Sequence, residues 1–131
     1  MLGVSIRACS VLWLRLDEVQ HMIIRIFRTT IHTKMRTDFE RDFESISVEA
    51  VANNRGLISC QIGKPTQWNP DEYAMITYWE DEAALNSFAG EEWFKAVIPP
   101  GMTEYPVSFS VEHFYVTEVP SYIVYWGLIS L

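Results

Sequence analysis

YAMITYWEDEAALNSFAGEEWFKAVI, residues 73 to 98, decides the fold. Its first seven residues are aromatic or β-branched for the most part and contain no Gly or Pro, which predicts a strand from Tyr73 to Trp79. The pleat sets Tyr73, Met75, Thr77 and Trp79 on one face and Ala74, Ile76 and Tyr78 on the other. Both faces carry apolar bulk, so both are expected to be covered. Glu80-Asp81-Glu82 then switches the period. Asp81 suits a helix N-cap, and the flanking acids favour the positive end of the helix dipole. Ala84, Leu85 and Phe88 form one stripe of that helix. Gly90 interrupts it. A second short helix is expected after Gly90, opening on Glu91 and Glu92 with Trp93 and Val97 inward. Pro99-Pro100-Gly101 stops it.

Upstream, Met22 to Ile31 predicts a first strand. Ile24 and Ile26 share one face; Arg25, Phe27, Thr29 and Ile31 share the other. A helix over 35–52 follows, with Phe39, Phe43, Ile46 and Ala50 as its apolar stripe and Gly56 as a left-handed cap beyond it. Leu57 to Gly63 is the second strand. Residues 64–71 connect it to the third, 102–106 form a loop, and Val107 to Val116 is the fourth strand. The order is β-α-β-β-α-β, an α+β, ferredoxin-like pattern with an antiparallel sheet. One sheet face takes the helices. The other carries Ile24, Ile26, Ile76 and Tyr78 with nothing in the chain left to cover it. That predicts a homodimer, sheet against sheet.

The chain has 131 residues, enough for one domain with a substantial core, at ordinary globular composition: 49% apolar and 21% charged. Its net charge of −7, without a Lys/Arg cluster, argues against nucleic acid as a partner. Cys9 and Cys60 match no metal or redox spacing and read as reduced thiols of a cytoplasmic protein. Three scattered histidines make no metal site. No apolar run is long enough to span a membrane. The N-terminal MLGVSIRACSVLWLRLDEV imitates a signal peptide, but Arg7 and Arg15 break its apolar stretch, and it reads as non-secretory. Residues 1–21 form an extension that suits strand and helix equally, 22–117 form the domain, and 118–131 form an apolar C-terminal extension suited to a partner chain.

From Met22 to Val116 the chain resembles the antibiotic biosynthesis monooxygenase family of dimeric α/β barrels. The segments that carry the resemblance are MIIRIFRTTIHTKMRTDFERDF, RGLISCQIG, DEYAMITYWEDEAALNSFAGEEWFKAVIPP and SVEHFYV. The resemblance implies cofactor-free oxygenation of polyketide quinols and anthrones, haem degradation, or quinol oxygenation. Trp79 matches a Trp of the haem-degrading branch. That branch's FKAAH motif falls on Phe94-Lys95-Ala96-Val97-Ile98, so Ile98 replaces its ligand His; its Asn falls near Phe27. An isoleucine has no lone pair for iron, which disfavours haem and leaves oxygenation without a cofactor. Such a reaction needs a dry aromatic pocket and a base or hydrogen-bond partner.

Phe27, Tyr73, Trp79, Phe88, Trp93 and Ile98 are the expected pocket residues, for a small apolar or aromatic ligand. Trp79 and His113 are the catalytic candidates, with His32, Arg25 and Tyr73 as further polar ones. Core packing would explain Trp79, Phe88 and Trp93 equally. His113 and Glu112 are adjacent on a strand, point opposite ways and form no dyad. The leading expectation is a cofactor-independent monooxygenase of an aromatic quinol or anthrone. The alternatives are a non-catalytic dimeric ligand-binding or stress-associated protein, and an isomerase on the same fold.

Overall fold

The computed structural model describes residues 21–117; the expectations for residues 1–20 and 118–131 lie outside the described residues. Strand β1 is Ile23–Ile31. It is followed by a continuous helical run, α1, made of a 3-10 turn (Thr33–Met35), an α-helical part (Arg36–Asp42), a π-helical part (Phe43–Val48) and a last α-turn (Glu49–Ala52). Strand β2 is Leu57–Gly63, β3 is Glu72–Trp79, helix α2 is Glu82–Ala89, and β4 is Pro106–Tyr115. All pairings are antiparallel, in the order β2-β3-β1-β4. This is the ferredoxin-like β-α-β-β-α-β architecture, with both helices on one face of the sheet.

The alternation read from β1 and β3 holds in three dimensions. Tyr73, Met75, Thr77 and Trp79 are buried on the helix side, as are Ile23, Arg25, Thr29 and Ile31. Cross-strand pairing joins Ile24 to Tyr78 and Ile26 to Ile76 on the opposite face. Phe114 of β4 extends that second face beside Ile24 and is 49% exposed.

Helix α1 departs from the expected stripe. Its buried residues are Phe39, Phe43, Ser47 and Val51, spaced by four throughout; Ile46 is half-buried and Ala50 exposed. The π-helical part is the reason. Widening the hydrogen-bonded ring to i→i+5 lengthens each turn, so residues four apart stay on one face.

Gly56 is also a correction. Among the described glycines positive φ belongs to Gly90 and Gly101, so Gly56 is no left-handed cap. The Asn54 side chain closes the helix instead, donating to the Ala50 and Val51 carbonyls. Gly56 is held to glycine by space: a Cβ there would sit 2.1 Å from Ala84 Cβ on α2.

At the start of α2 Asp81 accepts the Ala84 N–H at 2.8 Å, the expected N-cap. The second helix expected after Gly90 is a turn. Gly90 takes φ +85°, Lys95 N donates to Glu92 O at 2.9 Å, and the chain runs on to Pro99. So short a segment cannot repay helix nucleation; Val97 is 38% exposed and lines the open cleft. Met102 and Tyr105, in the loop before β4, add to the core and were not signalled by any periodicity. Among the described residues no helix is long and apolar enough to cross a membrane.

Candidate functional site

Between the helix-facing side of the sheet and α1 lies a narrow cleft, with a cavity volume of about 50 Å³ inside a mouth open to solvent. Its floor is β1 and β3, through Arg25, Phe27, Thr29, Met75 and Thr77. Helix α1 supplies a wall through Phe39, Phe43, Ser47 and Val51. Phe88 closes one end, and Ile98, Pro99 and Met102 roof the other side. The π-helical part of α1 therefore shapes the cleft. It turns Ser47 inward, where the unbroken period would have presented Ile46.

The residues expected at a pocket divide into two groups. Phe27, Phe88 and Ile98 line the cleft. Tyr73, Trp79 and Trp93 do not. Trp79 is fully buried behind Phe88, ring stacked on ring at 5.1 Å, and its Nε1 donates to Thr77 Oγ1 at 2.8 Å. Tyr73 packs on Phe39 at 4.6 Å and donates its hydroxyl to Glu40 at 2.7 Å. Burial and that bond to Glu40 push its phenol up to about 12, so Tyr73 stays protonated. Trp93 packs edge-on against His113 at 4.9 Å. His32 is exposed in the turn before α1.

The polar centre of the cleft is Arg25. It is 5% exposed and lies opposite His113 in the β1–β4 register. Its Nη1 donates to the Trp93 carbonyl and approaches His113 Nε2 at 3.0 Å. Its Nη2 donates to the Lys95 carbonyl at 2.9 Å. The turn that replaces the expected helix thus offers two carbonyls to the guanidinium, which a helix would have kept for its own bonds. Burial lowers the pKa of His113, and the charge of Arg25 lowers it further. A neutral His113 accepts the Arg25 N–H through Nε2 and carries its own proton on Nδ1. Spacing could not have found this pair, since its members are 88 residues apart.

The lining residues do not fit a haem. Ile98 stands on the wall with no donor atom. The described lining has no imidazole, thiol or phenol, only the thioethers of Met75 and Met102. Among the described residues no group of three or more His, Cys, Asp or Glu could hold a metal ion.

An antiparallel ferredoxin-like sheet with an apolar cleft beneath its helices defines the class of the dimeric α/β barrel proteins. The family profile named antibiotic biosynthesis monooxygenase matches residues 22–99, and the chain belongs to that family. No curated protein matches it. Among solved structures it is similar to a conserved protein from Methanosarcina mazei, at 16% identity and a TM-score of 0.60, covering 77% of this chain and 98% of that one. SnoaB, a cofactor-independent oxygenase from Streptomyces nogalater, aligns at 15% identity and a TM-score of 0.58, over 76% of this chain and 97% of that one. The heme-degrading protein Rv3592 from Mycobacterium tuberculosis aligns at 19% identity and a TM-score of 0.55, over 76% and 94%. Identities this low establish a shared fold alone.

Proposed function

We propose that the protein is a cofactor-independent monooxygenase that admits an aromatic quinol- or anthrone-like molecule to the cleft between sheet and helices. The observation that carries this reading is the cleft itself: aromatic walls from Phe27, Phe39, Phe43 and Phe88 around a single buried cation, Arg25. An electron-rich phenol or anthrone gives up a proton to water at the open mouth of the cleft, its anion is oxidised by O2 to a peroxide, and loss of water from the peroxide leaves the quinone. The protein's part is to exclude water, orient the ring and favour the ionised form. Phe27, Phe88 and Ile98 bound the ring; Trp79 holds Phe88 in place from behind. No cofactor enters this reading.

The working unit is the domain 22–117 as a cytoplasmic homodimer. Its subunits meet through the sheet face bearing Ile24, Ile26, Ile76 and Tyr78, and the C-terminal extension contacts the partner chain. The half-buried state of those four side chains and the exposure of Phe114 beside them support that arrangement. Cys60, half-buried, without a disulfide among the described residues and with its thiol pushed up by burial, suits a reducing compartment.

The test is oxygen uptake with dihydroxynaphthalenes and anthrones, without added metal or cofactor, comparing the wild type with Phe88→Leu. Uptake above the spontaneous rate, reduced in the variant, is the expected result. Absence of uptake on every substrate would overturn the oxygenase. One observation favours a second reading, a non-catalytic dimeric ligand-binding or stress-associated protein: the described lining holds no carboxylate, and His113 Nε2 is engaged by Arg25. In that case the same compounds bind without consuming oxygen.

A further inference from the structure

The charge on Arg25 has no counter-charge in the cleft. Its partners are the carbonyls of Trp93 and Lys95, the Nε2 of His113, and the ring of Phe88 at 5.9 Å. All are dipoles or quadrupoles; none is an anion. The ion pairs among the described residues all lie elsewhere, so no described carboxylate comes within 4.0 Å of the guanidinium. A buried ion without an opposite charge is costly, and dipoles offset only part of the cost. Burial pulls the guanidinium pKa down to about 10, still charged at neutral pH. Of its five N–H groups, the one on Nε and one on Nη2 have no acceptor among the described residues. Packing alone does not call for such a residue. A Met or Leu would fill the same space at the floor of an apolar cleft without the desolvation.

We infer that Arg25 anchors an oxyanion of an aromatic ligand in the cleft, either a carboxylate or an ionised phenol, with the ring against Phe27 and Phe88. The inference rests on the cleft being a ligand site and is independent of oxygenation. A guanidinium presents its donors in a planar fork that matches a carboxylate and charge-stabilises a phenolate. His113 is a positioning residue: it holds one Nη1 proton of Arg25, and the Nε proton and one on Nη2 remain for the ligand. The wall residues add no second charge, so a single-headed anion fits and a dianion does not.

The experiment compares 2-naphthoate, its neutral carboxamide and 2-naphthol on the wild type, Arg25→Lys and Arg25→Met. Calorimetry measures affinity; absorbance follows the ionisation of bound naphthol. The wild type should prefer naphthoate to the amide by about tenfold or more, and bound naphthol should ionise about one pH unit below the free compound. Arg25→Met should lose both effects while still binding the amide, which also reports an intact cleft. Arg25→Lys should keep part of them. An effect on the carboxylate alone or the phenol alone supports the anchor and identifies which oxyanion it takes. Equal affinity for naphthoate and amide, with unshifted naphthol ionisation, would overturn the anchor and leave the cleft as a neutral-ligand site. If none of the three binds, the anchor and the cleft as a ligand site both fall. The wild-type comparisons stand without any variant, so misfolding of Arg25→Met would not rescue the idea.

Discussion

Arg25 Nη1 and His113 Nε2 lie 3.0 Å apart, on residues paired directly across β1 and β4. The two side chains share the helix-facing side of the sheet, under the turn that carries Trp93 and Lys95. The contact ties an edge strand, a central strand and the turn after α2 to one point in the cleft.

This pair makes stability depend on pH. Burial, and then the charge of Arg25, hold the folded pKa of His113 below its ordinary value. An unfolded imidazole titrates near about 6.5. Between the folded value and that point the unfolded chain binds more protons, so stability rises with pH. The contribution is complete above the unfolded pKa and is lost as pH falls through the folded one. Urea midpoints from about pH 7.5 to about pH 5 should fall on acidification, and His113→Gln should flatten that part of the slope. An unchanged slope in the variant would show that His113 titrates freely.

Trp79 is fully buried and stacked on Phe88. Trp79→Ala should cost about 3–5 kcal/mol, through lost burial and the cavity left behind. Trp79→Phe should cost less and leave ligand affinity nearly unchanged, because Phe88 keeps its place on the wall. Chemical denaturation read beside ligand titration separates the two effects. A stable Trp79→Phe protein that had lost its ligand would put Trp79 itself in contact with the ligand.

Gly56 and Ala84 approach too closely for a second Cβ. Gly56→Ala should cost about 1–3 kcal/mol, as overpacking between the start of β2 and α2. Ala84→Gly in that background should recover part of the loss, so the double variant is more stable than the two single costs predict. Additive costs in the denaturation cycle would mean that α2 shifts to make room.

The outer sheet face is expected to be covered by a second subunit. Sedimentation at low micromolar concentration should give a dimer, and Ile24→Lys with Ile76→Lys should give a folded monomer. Both side chains point away from the cleft, so ligand binding to the monomer reports whether the site needs its partner. A wild-type monomer would refute the sheet-to-sheet arrangement.

Local alternation and capping made most of the architecture readable. The strand from Tyr73 to Trp79 carries its helix-facing side in its period of two, and Asp81 announces α2 because an N-cap needs only a side chain and the next turn of backbone. The order of elements then leaves few ways to build the sheet. Helix α1 was legible as a helix, and its buried face was legible as far as Phe43 but not beyond. A π-helical part follows from how Phe43, Ser47 and Val51 pack, and hydrophobic spacing assumes an unbroken period.

The site was legible only in fragments. Phe27, Phe88 and Ile98 lie at cleft positions, while Trp79 and Tyr73, as aromatic and as promising in the sequence, are core. A residue's type is the same on the cleft wall and one layer behind it. Arg25 stood among several polar candidates with nothing to single it out. What distinguishes it is long-range: His113 from β4, two carbonyls from a turn that a helical reading would have closed, and no described carboxylate nearby. The sequence by itself determined the four strands, α1, α2 and their order, because those depend on neighbours a few residues apart; it did not determine the turn after Gly90. Tertiary structure alone decided which side chains meet in the cleft and which stand behind it, because that depends on residues far apart in the chain sharing one enclosed space.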